Sequence, residues 1–470
     1  MPDQERYEAD VRGWLDSQAV PPPRLDLDQI VQTGRAQVRR RRYLTASGVT
    51  ATMLAVAVAV PVTTQAWRTG GGGGPDRLPG APPPLACTIT ELPLPDELAE
   101  QGLELAWAEV VTVDPTGRYV VTSPGVQSVV PGPERNVAAH SVVIRWDGRT
   151  PTVLPTGSDA TAVDVNANGV VVGHDQDGEQ DLYHGWVYDR TLVRFPAPEG
   201  YRSVLVAGIN QAGDVVGSAY RGPDDPTAVV VWPAADRDRP RILDSPGGRG
   251  IGAAGITDQG SVLGVFEDEE GGVYRWDADG AGSELPLLDG ATSGWIGQVA
   301  GGWAVGEVQL PVPADQVELL PTPSGELGLP SPTGSPREYR PSSTPVPSTT
   351  PPSPRAYQPA TITVPVRWDL TNGTVAPVPG YEPGGPLRTG GAEYGAVAVS
   401  AAGDAVVTDY QDTTVVRDGR PYSLPVPLAG AVAAPAAVND DGTVFAGEVV
   451  RVGGPSPGPA DEATTVVWHC

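Results

Sequence analysis

The side chains most able to do chemistry in this sequence are carboxylates, and they cluster. Asp175, Asp177, Glu179 and Asp181 fall in one short run, Asp224 and Asp225 are adjacent, Glu267, Asp268, Glu269 and Glu270 are consecutive, and Asp409 and Asp412 form a looser pair. Such runs favour ligands that are cationic or rich in hydroxyls. Otherwise the inventory is thin. Four histidines (His140, His174, His184, His469) and two cysteines (Cys87, Cys470) are spread over 470 residues, which excludes a Cys-rich zinc module or a disulfide-dense scaffold. No Gly-x-Ser-x-Gly elbow, His-Glu-x-x-His pair or Cys-x-x-Cys is present, and no residue is assigned as catalytic. Gly250, Gly252 and Gly255 match the dinucleotide fingerprint, but that motif needs a helix after it to hold a pyrophosphate at its N-terminus. Here a strand-turn-strand pattern follows, so the run is a Gly-rich crossing between strands. Paired carboxylates brought together by folding are the one acid–base chemistry left open.

The balance of charge narrows the partners. All 31 cations are Arg, against 57 Asp and Glu, for a formal net charge of −26. Nucleic acid is excluded on that ground, since a phosphate backbone selects basic surfaces. With 59 Gly and 52 Pro the chain meets a structure breaker at roughly every fourth position, which long helices cannot absorb and a turn-rich β protein can.

Residues 44–66 carry no charged side chain, and at about 1.5 Å rise per residue they span roughly 30 Å, enough to cross a bilayer. Arg39, Arg40, Arg41 and Arg42 stand just before them, so residues 1–43 are expected to stay cytoplasmic and the remainder to lie outside. Two readings stay open: a retained single-pass anchor over 44–67, or a cleaved export signal, since Arg40-Arg41-Arg42-Tyr43-Leu44 resembles a twin-arginine signal. Residues 68–86 form a Gly- and Pro-rich linker. The tail resembles the cytoplasmic tails of actinobacterial single-pass proteins, some of which are associated with sigma-factor control.

The elements that position the acidic runs come from a repeat. Val163–Gly173, Ala207–Gly217 and Ala254–Gly264 share alternating apolar residues, a polar turn ending in Gly, and an apolar run closed by Gly. Weaker copies begin at Val111, Val397 and Ala436, and Ile296–Gly306 is a seventh. Each is a strand, a tight turn and a strand. A second hairpin follows each copy, with Trp146, Trp186, Trp232, Trp276, Trp368 or Trp468 at a fixed place; only the sixth, near Arg417, lacks it. Four strands repeated seven times, at roughly 47 residues per repeat once an insertion at 307–360 is set aside, predict an all-β, seven-bladed propeller over 87–470. The Trp residues are expected to pack between blades. Ile209, Asn210, Gly213, Val215, Val216, Gly217 and Trp232 resemble the bacterial extracellular HAF repeat, a motif similar to WD-type propeller repeats; the resemblance implies a fold and no activity.

Trp146 precedes Pro155 by nine residues and Trp368 precedes Pro377 by nine; joining Cys470 to Cys87 puts Pro93 nine after Trp468. Residues 87–93 are therefore expected to supply the last strand of the last blade, with Cys87 and Cys470 disulfide-bonded at the closing turn. The acidic runs then fall in second-to-third strand loops, together with the insertion, whose Pro, Ser and Thr predict an extended segment. That face is the expected binding face, with Asp175, Asp177, Glu179, Asp181, Asp224, Asp225 and Glu267 to Glu270 as candidates. The first of these runs also resembles the calcium loops of some propellers, making Asp175, Asp177 and Asp181 candidate ligands for a calcium ion; no other cofactor is expected. The expectation is a membrane-anchored, non-enzymatic module that binds an extracellular ligand or protein. The alternatives are a transmembrane regulator linked to sigma-factor signalling, and a secreted hydrolase or lyase with carboxylates in the central channel.

Overall fold

The computed structural model describes residues 82–470 except 108–109, 129–139, 158, 178–181, 223–224, 269–270, 313–360, 382–394, 409–412, 428–430 and 452–462. The tail and the expected span at 44–67 lie outside the described residues; among the latter no helix is long and apolar enough to cross a membrane.

Seven antiparallel sheets of four strands each form a β-propeller. Blade one comprises Val110–Val113, Tyr119–Thr122, Ile144–Asp147 and Thr150–Val153; blade two Ala160–Val165, Val171–Asp177, Leu182–Asp189 and Thr191–Arg194. Blades three, four and five start with Ser203–Ile209, Ile251–Ile256 and Ser293–Ala300, and blade six with Gly395–Val399. Blade seven pairs Ala431–Val438, Val444–Arg451 and Ala463–His469 with Thr88–Glu91 from the other end of the chain. Cys87 and Cys470, at the ends of that last pairing, are disulfide-bonded with Cα atoms 4.0 Å apart.

The repeated residues explain the repeated geometry. Every first-to-second strand pair carries a bulge in its first strand, as between Val206 and Gly208. The turn that follows places its Gly at positive φ, Gly213 at +88° for example, which favours glycine. The Gly that ends the apolar run is needed for a different reason: a Cβ on Gly306 would lie 1.8 Å from the Trp295 carbonyl oxygen.

Two kinds of contact join neighbouring blades. All six repeat Trp side chains are buried, and burying one is worth roughly 4 kcal/mol of transfer free energy. Five donate their indole N–H to a carbonyl at the end of the preceding blade: Trp146 to Pro93, Trp232 to Pro196, Trp276 to Asp244, Trp368 to Pro286 and Trp468 to Pro425, all at 2.8–3.1 Å. Trp186 has no such partner. Beside the Trp position of the third strand, and on the opposite face, an Arg reaches the turn of the next blade: Arg145 donates to the Gly169 carbonyl at 2.9 Å, Arg367 to Gly403 at 3.1 Å, and Arg417 to Gly442. Blade six, lacking Trp, thus still holds its neighbour through Arg417, which also lies over the Phe445 ring.

Three boundaries differ from the sequence expectation. The insertion starts later than Glu307, because Trp303–Pro311 forms one strand paired with Thr361–Asp369, with Val308, Leu310 and Val364 buried on the same side. The linker ends earlier than residue 86: the Leu85 N–H donates to the Ser423 carbonyl and the Ser423 N–H to Pro83, docking 83–85 against the outer edge of blade six. Blade one also continues into a small extra sheet of Leu103–Trp107, Gly125–Ser128 and His140–Ser141, preceded by a short helix, Asp96–Glu100, that buries Leu98. Gly250 to Gly255 forms the crossing into blade four and its first strand, with no helix after it.

Candidate functional site

Of the acidic residues expected on one face, Asp175, Asp177, Asp225, Glu267 and Asp268 lie among the described residues. Asp175 is buried, and its Oδ2 is bonded to Arg194 within blade two. Asp268 pairs with Arg249 at 2.5 Å. Glu267 turns back toward blade three, where Thr227 donates to it; burial pushes its carboxyl above the usual range, partly offset by those donors. Asp225 is exposed, and Asp177 closes the second strand of its blade. Glu179, Asp181, Asp224, Glu269, Glu270, Asp409 and Asp412 lie outside the described residues. Among the described residues no group of three or more His, Cys, Asp or Glu is arranged to hold a metal ion; of the candidate calcium ligands, Asp175 uses Oδ2 for Arg194 and Asp181 lies outside the described residues. The histidines are distributed over the small extra sheet (His140), blade two (His174, His184) and blade seven (His469). His174 is buried against Tyr183, and burial lowers its pKa to about 4.

Other carboxylates converge on the propeller axis, at the turns that end the first strands. A cavity of about 50 Å³ there is lined by Asp164, Asp258 and Asp440 from blades two, four and seven, with Gln211, Gln298 and Thr257. No Arg lines it. Its walls are joined by hydrogen bonds between blades. The Ala167 N–H donates to Gln211 Oε1 at 2.9 Å, the Gln211 N–H to Asp258 Oδ1 at 3.0 Å, the Val399 N–H to Gln298 Oε1 at 2.8 Å, and the Asp440 N–H to the Pro115 carbonyl at 3.1 Å. Asp164 is held by the Val165 N–H at 2.8 Å and the Ile209 N–H at 3.0 Å.

This setting alters the acids. Burial raises the pKa of Asp164 to about 6, with the charge of Asp258 adding to the rise and the donors from Ile209, Val165 and Thr112 opposing it. Asp440 is likewise raised to about 6, first by burial and then by Asp258, Asp114 and Asp441. Like charges collected in a partly enclosed space resist ionising together, and each lowers the free energy of a cation placed among them. The cavity has room for a few waters or the head of one side chain.

The sequence contained these residues in plain view, as the polar positions of VDVN, INQ, ITD and VND. They read as turn formers, and Asn166, Asn210 and Asn439 do hold their turns by accepting backbone N–H groups. The signal for a site was available in the propeller geometry itself, because seven such turns must meet around one axis and a residue beside each faces the channel.

No protein-family model matches the sequence, and no curated protein sequence matches it. Among solved structures, the chain is similar to the β-propeller domain of the Trilobed protease from Pyrococcus furiosus, with 8% identity, a TM-score of 0.44, and coverage of 78% of this chain and 94% of that one. It is also similar to the Pyrococcus horikoshii acylaminoacyl peptidase, at 11% identity and TM-score 0.40, covering 73% of this chain but only 50% of the peptidase, so it spans about half that protein's length. A putative TolB from Agrobacterium tumefaciens is similar at 12% identity and TM-score 0.35, with 62% of this chain and 86% of that chain covered.

Proposed function

We propose that the protein is a membrane-anchored, extracytoplasmic binding module whose β-propeller takes a cationic group of a partner, such as an Arg or Lys side chain or a free amine, into the acidic axial mouth. The observation that carries this reading is the convergence of Asp164, Asp258 and Asp440 on one cavity that no cation among the described residues lines. A rigid ring fixes their spacing, so little ordering cost accompanies binding. The anchor rests on the uncharged run 44–66 behind four Arg residues, and the repeat is of the HAF type on the residues around Asn210. Calorimetric titration of the full-length chain with an arginine-rich peptide, in wild type and with the mouth neutralised, tests the reading.

One observation favours a second reading. Two carboxylates with pKa about 6 beside a third are matched to acid–base work near neutral pH, the arrangement a hydrolase or lyase uses. Turnover of a chromogenic ester, peptide or glycoside that is lost on Asp164→Asn would favour it over simple binding.

A further inference from the structure

A second concavity opens beside the axial mouth, and its electrostatic character is the reverse. It has a volume of about 700 Å³ and lies among blades one, two and three, with Arg145, Arg190 and Arg237 on its walls and a single carboxylate, Asp189. In a chain of net charge −26 such a collection needs a reason.

Its cations are preorganised. Arg145 donates to the Gly169 carbonyl at 2.9 Å, and its guanidinium lies 5.5 Å from the Tyr119 ring centre and 5.7 Å from that of Tyr188. Arg237 donates to the Gly213 carbonyl at 3.1 Å. Arg190 is exposed, has no ion-pair partner among the described residues, and sits in the left-handed region at φ +64°. The corresponding hairpin of blade one places Gly148 after Asp147, at φ +58°. Blade two therefore keeps a long cationic side chain where the backbone favours glycine, a strained choice of the kind that accompanies binding sites.

We propose that this groove binds an oxyanion, carboxylate or phosphate, carried on a polyhydroxylated ring. Arg190 and Arg237 supply guanidinium donors to the oxyanion. The Tyr188 ring gives a flat apolar surface for the ring, and the exposed Asn168 amide offers donor and acceptor to hydroxyls. The volume suits a ligand of one or two sugar rings. This groove adjoins the axial mouth, with Gln211 in the wall of both, but its charged residues are different and select the opposite charge, so one can fail without the other.

The test is calorimetric titration of the full-length chain at low salt with glucuronate, glucose 6-phosphate, inorganic phosphate and glucose. The expected result is saturable binding of at least one of the two ring acids, no binding of glucose, and at least tenfold weaker binding of inorganic phosphate. Preference for glucuronate assigns a carboxylate and preference for glucose 6-phosphate a phosphate. Arg190→Gly separates ligand from fold: glycine relieves the positive φ, so the melting temperature stays level or rises while affinity falls at least tenfold. Arg237→Gln weakens binding as well, and Asp440→Asn leaves it unchanged. The proposal is overturned if neither ring acid binds, if inorganic phosphate binds as tightly as glucose 6-phosphate, or if folded Arg190→Gly keeps the wild-type affinity.

Discussion

The indole N–H of Trp146 donates to the carbonyl oxygen of Pro93 at 3.0 Å, and Pro93 follows the strand that completes blade seven. Blade one is thus stapled to the start of the chain by the same bond that staples blade three to blade two. The ring is closed twice over at this seam, by strand pairing and by the Cys87–Cys470 bond. The bond spans 383 residues of sequence, so chain-entropy reasoning assigns it about 6 kcal/mol. Reduction, or Cys470→Ser, is expected to lower the thermal midpoint by roughly 5–10 °C while leaving the β signal in circular dichroism intact. An unchanged midpoint would show that strand pairing alone holds the seam.

The missing partner of Trp186 offers an internal control. Trp368 and Trp186 are both buried, but only Trp368 has an acceptor for its N–H, at Pro286. Substituting either by Phe removes similar apolar contact, and only Trp368→Phe also strands a carbonyl. Trp368→Phe should therefore cost about 1 kcal/mol more than Trp186→Phe in urea unfolding. Equal losses would mean that the indole bonds add nothing to blade packing.

Two glycines separate close approach from backbone conformation. Gly373 has φ +64° with open space around its missing Cβ, so Gly373→Ala should cost about 1 kcal/mol. Gly306 faces the Trp295 carbonyl at 1.8 Å from an added Cβ, so Gly306→Ala must force two strands apart. It is expected to abolish soluble expression or to cost more than about 3 kcal/mol. Similar stability for the two variants would contradict the close packing of the first two strands of blade five.

How much of this the sequence contained depends on whether a feature repeats. Blade number and Trp packing were legible because Gly213, Gly217 and Trp232 recur in phase with their counterparts. The closing seam followed from the nine-residue step between Trp468 and the proline after Cys87. The ion pairing of two of the candidate acids was not legible, for a physical reason. Asp175 and Asp268 stand out in sequence because acids crowd around them, yet each meets an Arg that only folding brings near. Asp164 and Asp440 were inconspicuous singly, and their role arises from convergence around an axis that no local window contains. Arg190 was missed because its significance lies in a dihedral angle.

The axial acids and His174 give opposed pH dependences. Asp164 and Asp440 titrate near 6 when folded and near 4 when unfolded, so their contribution to stability is full below about pH 4 and is lost as pH rises through 6. His174 is lowered from 6.5 to about 4; its contribution is full above about pH 6.5 and is lost as pH falls through 4. Urea midpoints compared at about pH 4 and about pH 7 should show Asp164→Asn gaining on wild type toward neutral pH and His174→Phe losing relative to it. Parallel curves for all three proteins would contradict the burial described for these groups.

The most direct test of the central claim is calorimetric titration of the full-length chain with a tri-arginine peptide at low salt, near pH 7.5 and near pH 5. Saturable one-to-one binding is expected at the higher pH. Expected too are at least tenfold weakening at the lower, where Asp164 and Asp440 take up protons, and loss of binding in the Asp258→Asn/Asp440→Asn double variant. A folded double variant that binds the peptide as wild type does, or a wild type that gives no saturable heat, would contradict that claim.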